Sequence, residues 1–586
     1  MKIKHLFGLA VIAAMTASCS SNEDLGTAGP GTGTNEAGVG YATFTINLPT
    51  TSGTRADGDP TYAQGTADEY DVNDVTLLIF KKAGSSEGEY TFVEKADLGN
   101  MAPWKAEGSN GITASATITA KLSNVALTSK GSTSDYYALA ILNNKNSEDK
   151  DKITLPTSSP TSSPTPPVTY GSWNAASNAD ETKFKDNTKG FYMANAPVFV
   201  AGGEPTTLVN IDKVYATKQK AETNAATTIH VERGLAKVTV ASFPKDLSPT
   251  GTKYNSDKVD ITAWNLDVTN KSTFPIHKTT GLNSPFTTIW SASTDPAPST
   301  GRFVDGTNKA FKRVYWGVDP NYDTPLSEVS DCEGQFTILP ANATIDGTAK
   351  EPQYCLENTF DIEHMKQGQT TRVVFKATYT PHGFTTGETF YKIGNNTDLW
   401  SKTKLEEQIK AVALTAMGIT KAEEQAKYGV DLTKGTNISG KAGQHLIKAD
   451  NITYSGEAAS SKVNPAAITA INEKLGLSDA AGISTYLNGE AYYIARIKHF
   501  GDVLTPWKEG DETYGANDAT QNKKYLGRYG VLRNNWYELK VNSVSGPGTP
   551  DVPTIKPDVP DDESYRYISV SVKILSWAKW SHSYDL

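Results

Sequence analysis

The residues able to do chemistry in this sequence are few and scattered. Its eight histidines, His5, His230, His277, His364, His382, His445, His499 and His582, share no spacing that would bring two of them to one helix face. Glu363-His364 starts like a zinc-binding helix but has no second histidine one turn on. No G-x-S-x-G turn presents a serine nucleophile. Asp71, Asn73 and Asp74 crowd together without the glycine and distal glutamate of a calcium loop, so they read as an Asx turn ahead of a strand. Gly29 to Asn35, GPGTGTN, follows no strand and opens no helix, and reads as linker rather than phosphate loop. The chain is therefore expected to be no enzyme, with no cofactor and no metal. A secreted enzyme whose site residues form no motif is the weakest alternative.

Two covalent features remain. Lys2, Lys4 and His5 precede the apolar run Leu6 to Met15, and Ala17-Ser18 precede Cys19. A basic head, a short apolar core and small residues before a cysteine make a lipoprotein-type secretory signal, with Cys19 the acylated residue, although Thr16 stands where such signals usually carry leucine. The apolar core is too short to span a bilayer, which takes about 20 residues. The second feature is Arg55, the only arginine before Arg233, followed by Ala56 in a run of small polar residues. A trypsin-like, arginine-specific protease would cut there. The other two cysteines, Cys332 and Cys355, form a disulfide in the oxidising export route or stay as two buried thiols.

Composition fits an exported, mostly-β protein rich in Thr, Ser, Gly, Asn, Val and Tyr. The formal charge is −9 over 586 residues, unchanged when residues 1–55 are left out, and no basic run suggests nucleic acid. Residues 20–40 are a tether of Gly, Thr, Asn and acids. The strand signals are Val72 to Phe80, Tyr90 to Val93, Ala114 to Leu122, Tyr136 to Leu142, Phe191 to Val200, Ile229 to Val240, Trp264 to Val268, Thr371 to Tyr379, Tyr492 to Ile497 and Tyr529 to Val541. Residues 155–172 hold five prolines among Ser and Thr, a surface loop. Leu405, Ile409 and Val412, then Ile468, Ile471 and Leu475, are spaced for helices, so a small helical insertion is expected near 400–480.

The two ends of the chain answer each other. Phe44, Ile46 and Leu48 alternate with polar residues in a first strand that a cut at Arg55 would release. At the other end five prolines between Pro547 and Pro560 make a stiff extended arm. Beyond it Ile568, Val570, Val572 and Ile574 alternate with Ser569, Ser571 and Lys573, and the phase slips at Leu575 and Trp577, which predicts a bulge. The arm is expected to hold this strand away from the body. A lone strand is unstable in water and needs a groove. Filling the groove vacated in a neighbouring copy, repeated head to tail, makes a fibre.

These pieces resemble the fimbrillin family of Bacteroides-group bacteria, the subunits of type V pili, and most of all the major subunit of short (Mfa-type) fimbriae. The resemblance rests on ASCS with Cys19, Thr-Arg-Ala at Arg55-Ala56, VNDVTLLIF, IHVERGLAKVTV, YLNGEAYYIARI from Tyr486, YGVLRNNWYELKV from Tyr529, the Pro/Asp arm and the ending SVSVKILSWAKWSHSYDL. It implies a lipoprotein precursor on the outer membrane, proteolysis after Arg55, and donation of the Ile568–Ile574 strand to another subunit. The implied partners are further copies of the chain, accessory anchor and tip subunits, and the protease. The implied role is adhesion and biofilm formation from a surface fimbria. The implied fold is two transthyretin-like β-sandwich domains with a small helical insertion in the second and a C-terminal donor strand. The expected segments are a signal (1–19), a propeptide with the removable strand (20–55), an N-terminal domain (56–235), a C-terminal domain (236–546), and the arm and donor strand (547–586). A membrane-anchored surface lipoprotein that binds carbohydrate, or a fimbrial anchor or tip subunit, is the alternative.

Overall fold

The computed structural model describes residues 39 to 576 apart from 49–65, 100–113, 130, 158–166, 177–178, 200–203, 252, 283–285, 287–288, 291–301, 305–312, 435–437, 439–442, 457–459, 508–522 and 562–567. Cys19, Arg55, Ala56 and Trp577 lie outside the described residues, as does most of the 155–172 loop.

The chain starts as strand β1 (Gly40–Leu48), whose alternating apolar residues all turn inward. It continues through β2 (Val75–Lys81), β3 (Thr91–Gly99), β4 (Ala114–Leu122), β5 (Tyr136–Leu142), β6 (Met193–Asn195) and β7 (Thr227–Arg233). These run in one hydrogen-bonded path, β3-β2-β5-β6-β7-β1-β4, with the short strand Val209–Asn210 beside β5. The continuous apolar runs of β2 and β5 suit their interior places, where both faces are covered. The two ends of the path meet: the Glu94 carboxylate on β3 accepts the backbone N–H of Ser123 and Asn124, just past β4, each at 2.9 Å. One core fills the enclosed space, with Phe44, Ile46, Leu77, Ile79, Leu139, Ile141, Ile229 and Val231 fully buried in it.

Between Arg233 and Ala236 the chain leaves this sheet for another. A Cβ on Gly234 would lie 2.8 Å from the rings of Phe184 and Tyr192, so only glycine fits the crossing. Strands β8 (Ala236–Val240), β9 (Lys258–Asp267), β10 (Gln353–Cys355), β11 (Arg372–Thr380), β12 (Glu490–Arg496), β13 (Asn535–Val544) and β14 (Ile568–Ser576) follow. They make two sheets, β10-β8-β13-β14 and β9-β11-β12. Val238, Val259, Trp264, Val373, Phe375, Tyr493, Tyr537 and Leu539 from both sheets share one core. The Tyr529 to Val541 signal yields one strand that starts only at Asn535. Gly530 (φ 132°) and Asn534 (φ 59°) take backbone conformations that a strand does not.

The helical spacing becomes two helices, Lys402–Met417 and Pro465–Lys474, the second capped by the Asn464 side chain on the Ala467 N–H. They pack through Leu405, Ile409, Met417 and Ile471 into a small core separate from that of the sheets. Among the described residues no helix is long and apolar enough to cross a membrane.

Candidate functional site

Strand β1 occupies a slot. Antiparallel β4 pairs with it over its full length, from Gly40 opposite Leu122 to Leu48 opposite Ala114. Parallel β7 covers the other side, with Phe44 to Asn47 against Thr227 to His230. Ala42, Phe44, Ile46 and Leu48 are 1% exposed or less. On the outer face Thr43 and Thr45 hydrogen-bond to Thr119 and Thr117 across the strand pair, at 2.8 and 3.0 Å. Tyr41 and Tyr215 exchange two backbone hydrogen bonds at the strand's start. The first strand named by the sequence is thus an inserted strand with a neighbour on each side.

The described chain resumes at Thr66 and is fastened almost at once. Glu69 is fully buried, and its carboxylate accepts from Lys237 Nζ at 2.6 Å, Tyr354 Oη at 2.7 Å and the Thr66 N–H at 3.1 Å. Arg233 Nε donates to the Glu69 carbonyl at 2.6 Å. Lys237 Nζ also lies 3.9 Å from the centre of the Trp536 ring on β13. Burial lowers the Lys237 pKa and brings that of Arg233 down to about 10, while the Glu69 carboxylate opposes both shifts. This clamp ties the segment after Arg55 to both halves of the fold. Sequence reasoning missed it; the one local signal was a lysine inside the otherwise uncharged β8.

Among the described residues the last strand has one neighbour. β14 runs antiparallel to β13 at the edge of its sheet, with Ile568, Val570, Val572 and Ile574 opposite Val544, Val541, Leu539 and Tyr537. The register slips between Val541 and Ser543, so the irregularity falls on β13 near Ser569 and Val570 rather than at Leu575.

The proline-rich segment before β14 is not a free arm. Val552 and Ile555 are buried, the Val552 N–H donates to the Ala341 carbonyl, and Arg372 donates to the Pro553 carbonyl. Its end is pinned at Asp561, which accepts from Arg496 Nε and from Thr370 Oγ1, each at 2.5 Å, while its N–H donates to the Met365 carbonyl. The expectation of an arm that holds the last strand away from the body is corrected. Proline keeps the segment out of the ladders but leaves its apolar residues free to dock as a strap.

Of the two readings open for Cys332 and Cys355, the structure has the pair of buried thiols rather than the bridge. Cys332 sits on the short helix Val329–Gln335 with Val268, Leu326 and Phe336 around it, and Cys355 ends β10 in the core between the two sheets. The thiols lie in different apolar clusters and are both free. Burial pushes their pKa values up to about 11 and about 12, which keeps them protonated and inert at neutral pH.

Among the described residues no group of three or more His, Cys, Asp or Glu could hold a metal ion. His277, the most buried histidine, is fully engaged, with Nδ1 2.8 Å from Glu232 and Nε2 3.1 Å from the Trp316 carbonyl. A cleft of about 790 Å3 is lined by Tyr90, Tyr137, Tyr170, Asn174 and Lys278, but Tyr90 and Tyr170 are buried and offer no open ring face for a sugar.

Residues 484–583, which take in β12, β13, the strap and β14, match the family described as major fimbrial subunit protein type IV, fimbrillin, C-terminal. That region is thus similar to the C-terminal part of fimbrillins. No curated protein matches this chain. Among solved structures it is similar to a fimbrilin from Porphyromonas gingivalis W83, with 12% identity over 93% of this chain and 99% of that one, at a TM-score of 0.32. It is also similar to the tip fimbrial protein Mfa3 from Porphyromonas gingivalis with C-terminal truncation (10% identity, 92% and 100% covered, TM-score 0.24). A fimbrial assembly protein from Parabacteroides distasonis follows (11% identity, 57% and 94% covered, TM-score 0.24).

Proposed function

We propose that this fimbrial subunit is exported as an outer-membrane lipoprotein on Cys19, released by an arginine-specific protease after Arg55, and polymerised by strand exchange. Cleavage frees β1, and residues 568–576 of another copy leave their own β13 to enter the slot between β4 and β7. Repeated head to tail, this builds the stalk of a surface fimbria that supports adhesion and biofilm formation, with accessory anchor and tip subunits at its ends and two transthyretin-like sandwiches as its unit.

The observation that carries this reading is the match between β1 and β14. Both strands are nine residues long and alternate apolar and polar residues. Among the described residues β1 has a neighbour on each side and β14 has only one, so transfer into the slot gives the last strand a second ladder of backbone hydrogen bonds. The clamp at Glu69 supports the same reading, because it keeps the chain after Arg55 in place once β1 has gone.

N-terminal sequencing of protein sheared from cells tests the proposal. A start at Ala56 is expected, and Arg55→Ala is expected to leave monomers that keep β1 in its slot. Fibres made of chains that still begin at Cys19 would refute it.

A further inference from the structure

The chain has nine arginines against 47 lysines. Seven of the nine fall among the described residues: Arg233, Arg302, Arg313, Arg372, Arg496, Arg528 and Arg533. Every one is between 0 and 4% exposed. That is the reverse of the normal case, since arginine is among the residues that are almost never fully buried. Lysine behaves normally here. Lys150, Lys218 and Lys258 have side chains from 64 to 73% exposed, and Lys245 and Lys462 are exposed in stretches without regular structure. Among the described residues the accessible strong cations are therefore all lysines. The other two arginines, Arg55 and Arg566, lie outside the described residues.

The buried arginines are held, not merely covered. Arg233 donates to the Glu69 carbonyl, Arg313 to that of Asn534 and Arg528 to that of Thr505. Arg302 reaches the carbonyls of Leu504 and Lys524, and Arg533 those of Phe274 and Pro275. Arg372, Arg496 and Arg533 also pair with the buried carboxylates of Asp267, Asp561 and Glu357. A trypsin-like protease must draw the guanidinium into its own specificity pocket before it cuts. Each of these side chains would have to abandon buried carbonyls or a buried carboxylate first.

We propose that the seven described arginines are confined to the interior so that the protease which processes the chain finds no site among them. This rests on the reading that the processing enzyme is arginine-specific. On that reading the surface takes its positive charge as lysine because an exposed arginine would be a cut through the body. The device separates cleavage that releases a strand from cleavage that destroys the subunit, with no need for the protease to recognise more than one side chain.

The test is digestion of the folded, full-length precursor by an arginine-specific endoprotease, with a lysine-specific one in parallel. The arginine-specific enzyme is expected to produce a new N-terminus at Ala56 and none after the seven buried arginines, while the lysine-specific enzyme nicks the body at several places. Lys245→Arg and Lys462→Arg retain charge and fold. At whichever of these positions the lysine-specific enzyme cuts, the arginine variant is expected to be cut by the arginine-specific enzyme at least ten-fold faster than the wild-type chain. Cleavage of the native chain after any of the seven buried arginines overturns the proposal. So does resistance of the arginine variants at positions that the lysine-specific enzyme cuts, because the body would then be protected by something other than its choice of cation. An intact body with Arg55 uncut leaves the shielding standing and sinks the processing step.

Discussion

Two buried ion pairs decide much at the scale of single residues, and neither has a local sequence pattern. Glu69 meets Lys237 and Asp561 meets Arg496 across 168 and 65 positions. Alternation of apolar residues shows which side of a strand is covered, so Phe44, Ile46 and Leu48 were legible, but it says nothing about which distant charge comes to rest beside which. The same gap explains Cys332 and Cys355: an even count in an oxidising route carries no information about distance. Glu69→Ala leaves the Lys237 ammonium buried without its carboxylate, and the expected loss is about 3–5 kcal/mol in urea unfolding. The loss also has a pH signature. Burial already holds the Lys237 pKa below its unfolded value, and removing Glu69 lowers it further. In the window between the folded and unfolded pKa values the unfolded chain binds more protons, so stability rises with pH there. The deficit of Glu69→Ala is therefore expected to shrink as the pH rises toward the unfolded lysine value of about 10.4. A deficit constant across that range would show that Lys237 is not the group that suffers.

At the scale of elements, periodicity found the strands and the two helices, and composition found the proline-rich segment. What composition could not supply was where that segment goes. Five prolines exclude it from a ladder, yet Val552, Ile555 and Asp561 between them give it anchors that dock it on the β9-β11-β12 sheet and its loops. The segment therefore stays docked on the body from Val552 to Asp561 instead of leaving it at Pro547. Asp561→Ala removes the pin and leaves Arg496 without its main partner. The amides of Val552 and Asp561, which donate to Ala341 and Met365, are expected to exchange with solvent at least ten-fold faster in that variant, a change of about 1.4 kcal/mol or more in local opening. Amides of the β2–β5 pair in the first half are expected to be unaffected. Unchanged exchange at Val552 and Asp561 would mean that the strap is held by its apolar contacts alone.

At the scale of the whole molecule, the sequence shows that two strands share one alternating pattern, but not that one is inserted and the other lies at an edge. Pairing partners of β1 lie about 70 and 180 positions away in the chain, and period-2 alternation specifies a face without specifying a neighbour. That asymmetry makes a quantitative forecast possible. Removal of residues 1–55 opens a slot that had buried Phe44, Ile46 and Leu48, each contributing about 1.5–3 kcal/mol, with ladders on both sides. A protein that begins at Ala56, produced by cleavage of the folded precursor, is expected to capture a synthetic peptide of residues 568–586 at one peptide per chain, while the uncleaved precursor does not. The same peptide with Val570→Asp and Val572→Asp loses two apolar anchors and must bury two carboxylates. At 1.4 kcal/mol per ten-fold, its affinity should fall by more than about a hundred-fold. Equal capture of both peptides would show that the slot reads backbone alone. Capture of neither would mean that the vacated slot collapses before a second strand can enter, and a fibre would then need the incoming strand in place as the first one leaves.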